Sequence, residues 1–172
     1  MDEQAFEQLY SEHAGAVRRY VRRRLAADDL DDALAEIWLT AWRRRDDLPP
    51  SPLPWLYGTA RRVLANQRRG RSRLRALIDR VAASRPAGGT APALADAPLG
   101  EALARLPERD REALLLTSWE GLSSRDAAVA IGCSPAAFNS RLHRARTRLA
   151  AELAATDVPP DRAPLMTVEA KP

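Results

Sequence analysis

In the stretch SPAAFNSRLHRAR, residues 134–146, hydrogen-bonding side chains and arginines alternate with small residues, and no carboxylate interrupts them. Asn139, Ser140 and His143 carry donors and acceptors that suit base edges, while the forks of Arg141, Arg144 and Arg146 match phosphate or guanine. That is the chemistry of reading a nucleic acid rather than of breaking a bond. A second basic set lies upstream, where seven arginines fall between Arg61 and Arg75 with no acid among them. Such a row tracks a phosphate backbone. The one cluster suited to hydrolytic chemistry is Asp28, Asp29, Asp31 and Asp32, four carboxylates able to hold a metal. They stand where a helix begins and acids stabilise its dipole, and neither a P-loop nor a GxSxG accompanies them. No catalytic constellation can be assembled, so the chain is expected to be no enzyme and to use no cofactor or metal. A single cysteine, Cys133, excludes an internal disulfide, and with His13 and His143 it falls short of a structural zinc set.

The apolar spacing that must position these residues is helical throughout, with no segment of strand period. Phe6, Leu9, Tyr10, His13, Val17, Tyr20 and Val21 recur at three- and four-residue steps over Phe6–Leu25. Leu30, Leu34, Ile37, Trp38, Ala41 and Trp42 repeat that spacing, and the run Arg43–Arg45 sits where a helix C-terminus favours cations. The prolines of LPPSPLP, residues 48–54, predict a loop, because they lack donors and restrict the residues before them. A third helix follows, with Trp55, Leu56, Ala60, Val63 and Leu64 as its inner stripe. Residues 84–98, SRPAGGTAPALADAP, have the composition of a flexible linker, and the domain boundary falls there. Beyond it, Pro107 suits a first helical turn and Gly121 a stop. The last sixteen residues hold four prolines and read as a disordered tail. The expected fold is all-α, two small helical domains at 1–75 and 99–156, joined by a flexible linker at 76–98 and followed by a tail at 157–172.

The opening stretch belongs to the second domain. Upstream of it, Ser123 and Asp126 stand in capping-box spacing before the short apolar run Ala127, Ala128, Ala130, Ile131, and Gly132 ends that helix. Ser134 then serves as N-cap and Pro135 as first residue of the next helix, so a turn of about three residues separates the two, the geometry of a helix-turn-helix. On the second helix Phe138, Leu142, Ala145 and Leu149 face inward, which puts Ala136, Ser140, His143 and Thr147 opposite, flanked by Asn139 and Arg144. Small residues near the N-terminus keep this face slim enough to enter a major groove, with Arg141, Arg146 and Arg148 at its margins near phosphates. A merely solvated basic face has no need to be slim.

Composition agrees with a polyanion partner. Lys and Arg number 27 against 23 Asp and Glu, a net charge of +4 in 172 residues, and nearly all the positive charge is arginine. The opening MDEQAFEQLY is acidic and polar, unlike a secretory signal, and no apolar run is long enough to span a bilayer. No membrane insertion is expected, and a cytoplasmic location is.

At this point the residues resemble a family. The stretch LPERDREALLLTSWEGLSSRDAAVAIGCSPAAFNSRLHRARTRLAAEL, 106–153, closely resembles region 4 of the extracytoplasmic-function (ECF) sigma factors, a group within the sigma-70 family of bacterial RNA polymerase subunits. DDLDDALAEIWLTAWRR and PWLYGTARRVLANQRR look like the family's region 2. The resemblance implies that the helix Asp32–Arg43 docks on the polymerase clamp through Asp32, Glu36, Ile37, Leu39, Trp42 and Arg43. It implies that loop 46–54 and helix Trp55–Arg69 hold the separated −10 strand, with Trp55, Arg61, Arg62, Arg68 and Arg69 as contacts. In region 4 it puts Ala136, Asn139, Ser140, His143 and Arg144 at the −35 element and Arg141 and Arg146 on its phosphates. Ala35 stands where the family usually has glutamine, Arg62 where asparagine is frequent, and Asn139 where lysine or arginine is common. The implied function is a promoter-specificity subunit that binds the clamp and flap of core RNA polymerase and directs initiation at −35 and −10 elements, with an anti-sigma factor as further partner. Two rivals fit less well. A dimeric helix-turn-helix regulator needs a dimer seam, and no heptad pattern precedes the linker; a metal-dependent nuclease needs more than the aspartate cluster.

Overall fold

The computed structural model describes residues 1–25, 29–81 and 97–156, with side chains over 1–25, 29–73 and 98–155. Seven α-helices make up these residues: α1 (Glu3–Arg22), α2 (Leu30–Arg43), α3 (Pro52–Val81), α4 (Ala97–Arg105), α5 (Glu108–Ser118), α6 (Ser124–Ile131) and α7 (Pro135–Thr156). Among the described residues there is no strand. The linker stretch 82–96, the tail 157–172 and Asp28 lie outside them.

Local signals set most helix ends. Asp2 caps α1 by accepting a hydrogen bond from the Ala5 amide at 2.8 Å. Pro107, expected in the first turn of α5, is its N-cap, and the helix begins one residue later at Glu108. The expected loop at 48–54 is shorter than its prolines suggested. Arg45–Asp47 form a 3₁₀ turn, and α3 already begins at Pro52, so Pro52 and Pro54 both lie within its first turn. Residues of a first turn have no intrahelical acceptor for their amides, so a missing N–H there costs nothing. At its other end α3 runs on to Val81, past Arg69 and into the stretch read as linker.

In the first domain the core joins Val17, Tyr20 and Val21 of α1, Ala33, Ile37 and Ala41 of α2, and Leu56, Ala60 and Leu64 of α3, all fully buried. In the second it joins Leu103 of α4, Ala113 and Leu116 of α5, and Phe138, Leu142 and Ala145 of α7. These are not two separate cores. One contiguous apolar cluster includes both sets and Ala127, Ala128 and Ala130 of α6. The seam lies where α3 crosses α6. A side chain at Gly58 would place its Cβ 3.0 Å from the Ala130 carbonyl oxygen, so glycine is what permits this close approach.

Candidate functional site

The helix-turn-helix forms as its caps dictate. Ser123 Oγ accepts from the Asp126 amide at 3.1 Å and bonds the Asp126 carboxylate at 2.7 Å. The helix stops at Gly132, whose φ of +77° is open to glycine at little cost. Ser134 Oγ accepts from the Ala137 amide at 3.2 Å and starts α7. Phe138, Leu142 and Ala145 are buried and Leu149 packs on the same core. The opposite face leaves Ala136, Ala137, Asn139, Ser140, His143, Arg144, Arg146 and Thr147 exposed. Cys133, in the turn, is half-buried against the core.

Two arginines of α7 leave the expected margin. Arg148 pairs with the buried Asp110 of α5, tying the two helices together. Arg141 is half-buried and lines a cleft that faces α3 rather than open solvent.

On α2 the expected contact residues divide. Asp32, Glu36 and Arg43 are exposed, and Leu39 is an exposed large apolar side chain at 47%. Ile37 is a correction. It is completely buried in the core and has no surface to offer a partner. The buried positions Ala33, Ile37 and Ala41 step by four along the inner face, whereas Asp32, Glu36, Leu39 and Arg43 lie on the other side. Trp38 packs edge-on against Phe6 and Tyr10 at 6.4 and 4.7 Å. Trp42 is half-buried against Phe6 at 5.0 Å, with the Arg45 guanidinium over its ring at 4.5 Å.

Along α3, Trp55 and Arg61 are half-buried, and Arg62, Arg68 and Arg69 are exposed. Arg68 pairs with Glu108 of α5, Arg69 bonds Asn66, and Arg71 pairs with Asp29. Helix α5 therefore occupies part of the basic row.

Sequence periodicity missed the polar cluster between the domains. Tyr20 Oη donates to Glu112 at 2.6 Å, Arg24 Nε donates to the other Glu112 oxygen at 3.0 Å, and Arg24 Nη1 donates to Glu120 at 3.1 Å. Arg23 Nη1 reaches both Glu120 oxygens at 2.9 and 3.0 Å. The Arg24 guanidinium lies 3.6 Å above the Tyr20 ring, which stacks on Tyr57 at 4.9 Å. Burial pushes the Tyr20 hydroxyl well above its ordinary pKa, and Glu112 beside it adds to the shift. Burial and the Glu120 charge push Tyr57 up to about 12. For Arg24 burial works against the charge, but Tyr20, Glu112 and Glu120 together outweigh it and hold the guanidinium more firmly protonated than usual. The chemistry of the cluster is adhesive, joining the end of α1 to α5 across the domain seam.

Among the described residues no group of three His, Cys, Asp or Glu side chains is placed to hold a metal. The arrangement presents a slim polar helix face, an arginine row and a helix surface with exposed charges and Leu39.

Known proteins share this organisation. Residues 9–74 match the family described as Sigma-70 region 2, and residues 97–149 match Sigma-70, region 4. The RNA polymerase sigma factor NccH of Alcaligenes xylosoxydans xylosoxydans is 30% identical over 91% of each chain. The ECF RNA polymerase sigma factor EcfG of Rhodopseudomonas palustris is 35% identical over 78% of each. Among solved structures, the sigma factor RpoE of Bartonella quintana, in complex with the anti-sigma factor NepR, superposes with a TM-score of 0.68 at 29% identity, covering 90% of this chain and 99% of that one. CnrH, in complex with the cytosolic domain of CnrY, gives 0.64 at 27% over 91% and 92%. With both regions matched in order and the helices arranged alike, this chain belongs to the ECF sigma factors of the sigma-70 family, the promoter-specificity subunits of bacterial RNA polymerase.

Proposed function

We propose that each surface of the chain has its own partner in initiation. Helix α7 reads the −35 element, with Ala136, Asn139, Ser140, His143 and Arg144 toward bases and Arg146 toward phosphate. Helix α3 and the preceding turn take the −10 strand through Trp55, Arg61, Arg62, Arg68 and Arg69. Helix α2 docks on the polymerase clamp through Asp32, Glu36, Leu39, Trp42 and Arg43, and the second domain engages the flap. The observation that carries this assignment is the exposed, slim, acid-free face of α7, set on a capped helix-turn-helix in the same chain as the α3 arginine row. In this reading the domains keep the limits 1–75 and 99–156, with α3 running on to Val81 and α4 starting at Ala97 within the segment between them.

The chain acts by binding, in the cytoplasm where polymerase works, and has no catalytic role. No described helix is long and apolar enough to cross a membrane. The complex of RpoE with the anti-sigma factor NepR, and that of CnrH with the cytosolic domain of CnrY, support a protein partner of the anti-sigma kind. Because α5 covers part of the arginine row, the −10 strand is taken once the two domains have parted.

In vitro transcription with sigma-free core polymerase on a genomic library, with 5′ ends sequenced, tests the proposal. Starts that share a −35 and −10 pair are expected. Arg144→Ala should lower initiation while leaving core binding intact, and Leu39→Ala should weaken core binding. Sequence-specific duplex binding without any initiation would overturn the proposal in favour of a plain helix-turn-helix regulator.

A further inference from the structure

The polar seam opens into a cleft of about 310 Å³ whose walls come from both domains. Six arginines line it: Arg24, Arg61, Arg68 and Arg69 from the first domain, Arg109 and Arg141 from the second. Only two carboxylates, Glu108 and Glu112, share the lining, and both are engaged, by Arg68 and by Arg24 with Tyr20. Arg61, Arg109 and Arg141 have no carboxylate within ion-pair distance among the described residues, and two of the three are half-buried.

A second observation is independent of that charge count. The Arg24 side chain is 6% exposed, yet its Nη2 group is buried with no acceptor. Such a donor is costly and gains from any acceptor that meets it once the guanidinium turns toward the cleft.

We infer that this interdomain cleft binds a linear oligophosphate, an inorganic triphosphate or the phosphate chain of a nucleotide, and that the bound anion clamps the two domains together. The volume lies at the small end of the range for ligand pockets. Guanidinium forks on opposite walls give bidentate contacts to successive phosphates, which an ammonium would not. The walls belong to different domains, so the ligand binds the closed arrangement only and stabilises it by mass action. A phosphodiester strand would use the same chemistry, but it must run past the cleft at both ends, where α5 with Glu108 and Glu112 closes one wall.

The test is isothermal titration of the full chain with sodium tripolyphosphate at physiological salt, with ATP and a short single-stranded oligonucleotide as parallel arms. One saturable site, with a higher Tm and a smaller radius of gyration in solution scattering, is the expected result. Arg61→Ala and Arg141→Ala should each weaken binding about tenfold, the scale of one charge-assisted contact. Arg141→Lys keeps the charge and should still weaken it, because the fork is lost. The Arg125→Ala variant removes an exposed arginine outside the cleft and should change nothing. Tighter binding by ATP than by tripolyphosphate, with the same dependence on Arg141, identifies the source as a nucleotide. Equal losses for Arg125→Ala and Arg141→Ala would overturn the site as unspecific polyanion attraction. So would absence of saturation, or a preference for the oligonucleotide with no dependence on Arg141.

Discussion

Removing Glu112 should release the two domains from each other without unfolding either. The carboxylate accepts from Tyr20 Oη at 2.6 Å and from Arg24 Nε at 3.0 Å, across 92 and 88 residues of chain. The Arg24 and Glu112 side chains are 6% and 14% exposed, so the pair is not a screened surface pair of small worth. Breaking a buried pair from one side costs about 3–5 kcal/mol, because the remaining charge is stranded. Glu120 still holds Arg24 Nη1 at 3.1 Å, which puts Glu112→Ala near the lower end, about 3 kcal/mol, or roughly a hundredfold in the closed-to-open ratio. The stranded Arg24 has a cheap escape, since parting the domains returns it to water. Small-angle scattering of Glu112→Ala should therefore show a larger radius of gyration with helix content preserved, and thermal melting should separate into two steps. The double variant with Tyr20→Phe should fall short of the summed effects, because both act through one hydrogen bond. Scattering and melting identical to those of the unaltered chain would refute the idea that this cluster joins the domains.

Other perturbations separate core from contact. Ile37→Ala should lower stability by about 2–5 kcal/mol, as for buried aliphatic truncations, whereas Glu36→Ala, one residue away and exposed, should leave the melting curve unchanged and weaken core polymerase binding. Gly58→Ala puts a methyl 3.0 Å from the Ala130 carbonyl oxygen, and overpacking at that crossing should favour the open form by about 1–3 kcal/mol, read as an increase in radius of gyration. Alkaline pH should open the seam. Tyr20 and Tyr57 have folded pKa values above the ordinary 10.0, so their stabilising contribution is complete below pH 10 and falls from there toward about 12, the value for Tyr57. Tyrosinate absorbance followed together with scattering checks this, and Tyr57→Phe should blunt the transition.

The second domain's helix-turn-helix was legible because its signals are local. Ser123, Gly132 and Ser134 each act within three or four residues, and the stripe Phe138, Leu142, Ala145 is fixed by helical period alone. Elsewhere period was not enough. It says that Ile37 shares a face with Ala33 and Ala41, but a family role assigned to the whole helix pulled Ile37 into the contact surface. At Pro52 and Pro54 composition outweighed position, since a proline's effect on a helix depends on whether its amide would have been used. The seam left no local trace. Arg24 lies in the turn after α1 and Glu112 on α5, and nothing nearby in sequence marks them as partners.

What the seam shares with the nucleic-acid surface is the guanidinium. A fork that fits phosphate fits carboxylate equally well, so Arg68 of α3, held by Glu108 of α5, could equally take the phosphates of the strand proposed for it. Arg61, Arg68 and Arg69 line the cleft under the second domain, and a wall that closes over arginines needs acids of its own, as Glu108 is for Arg68. Placing Glu108, Glu112 and Glu120 on and just after α5 therefore makes the second domain an internal counter-ion for the first. The closed form also keeps the apolar crossing of α3 and α6, for which a phosphate strand offers no substitute. Salt acts on the screened contacts at the rim, while the buried Tyr20–Arg24–Glu112 pairing and the α3–α6 crossing set how far the balance must move before the domains part.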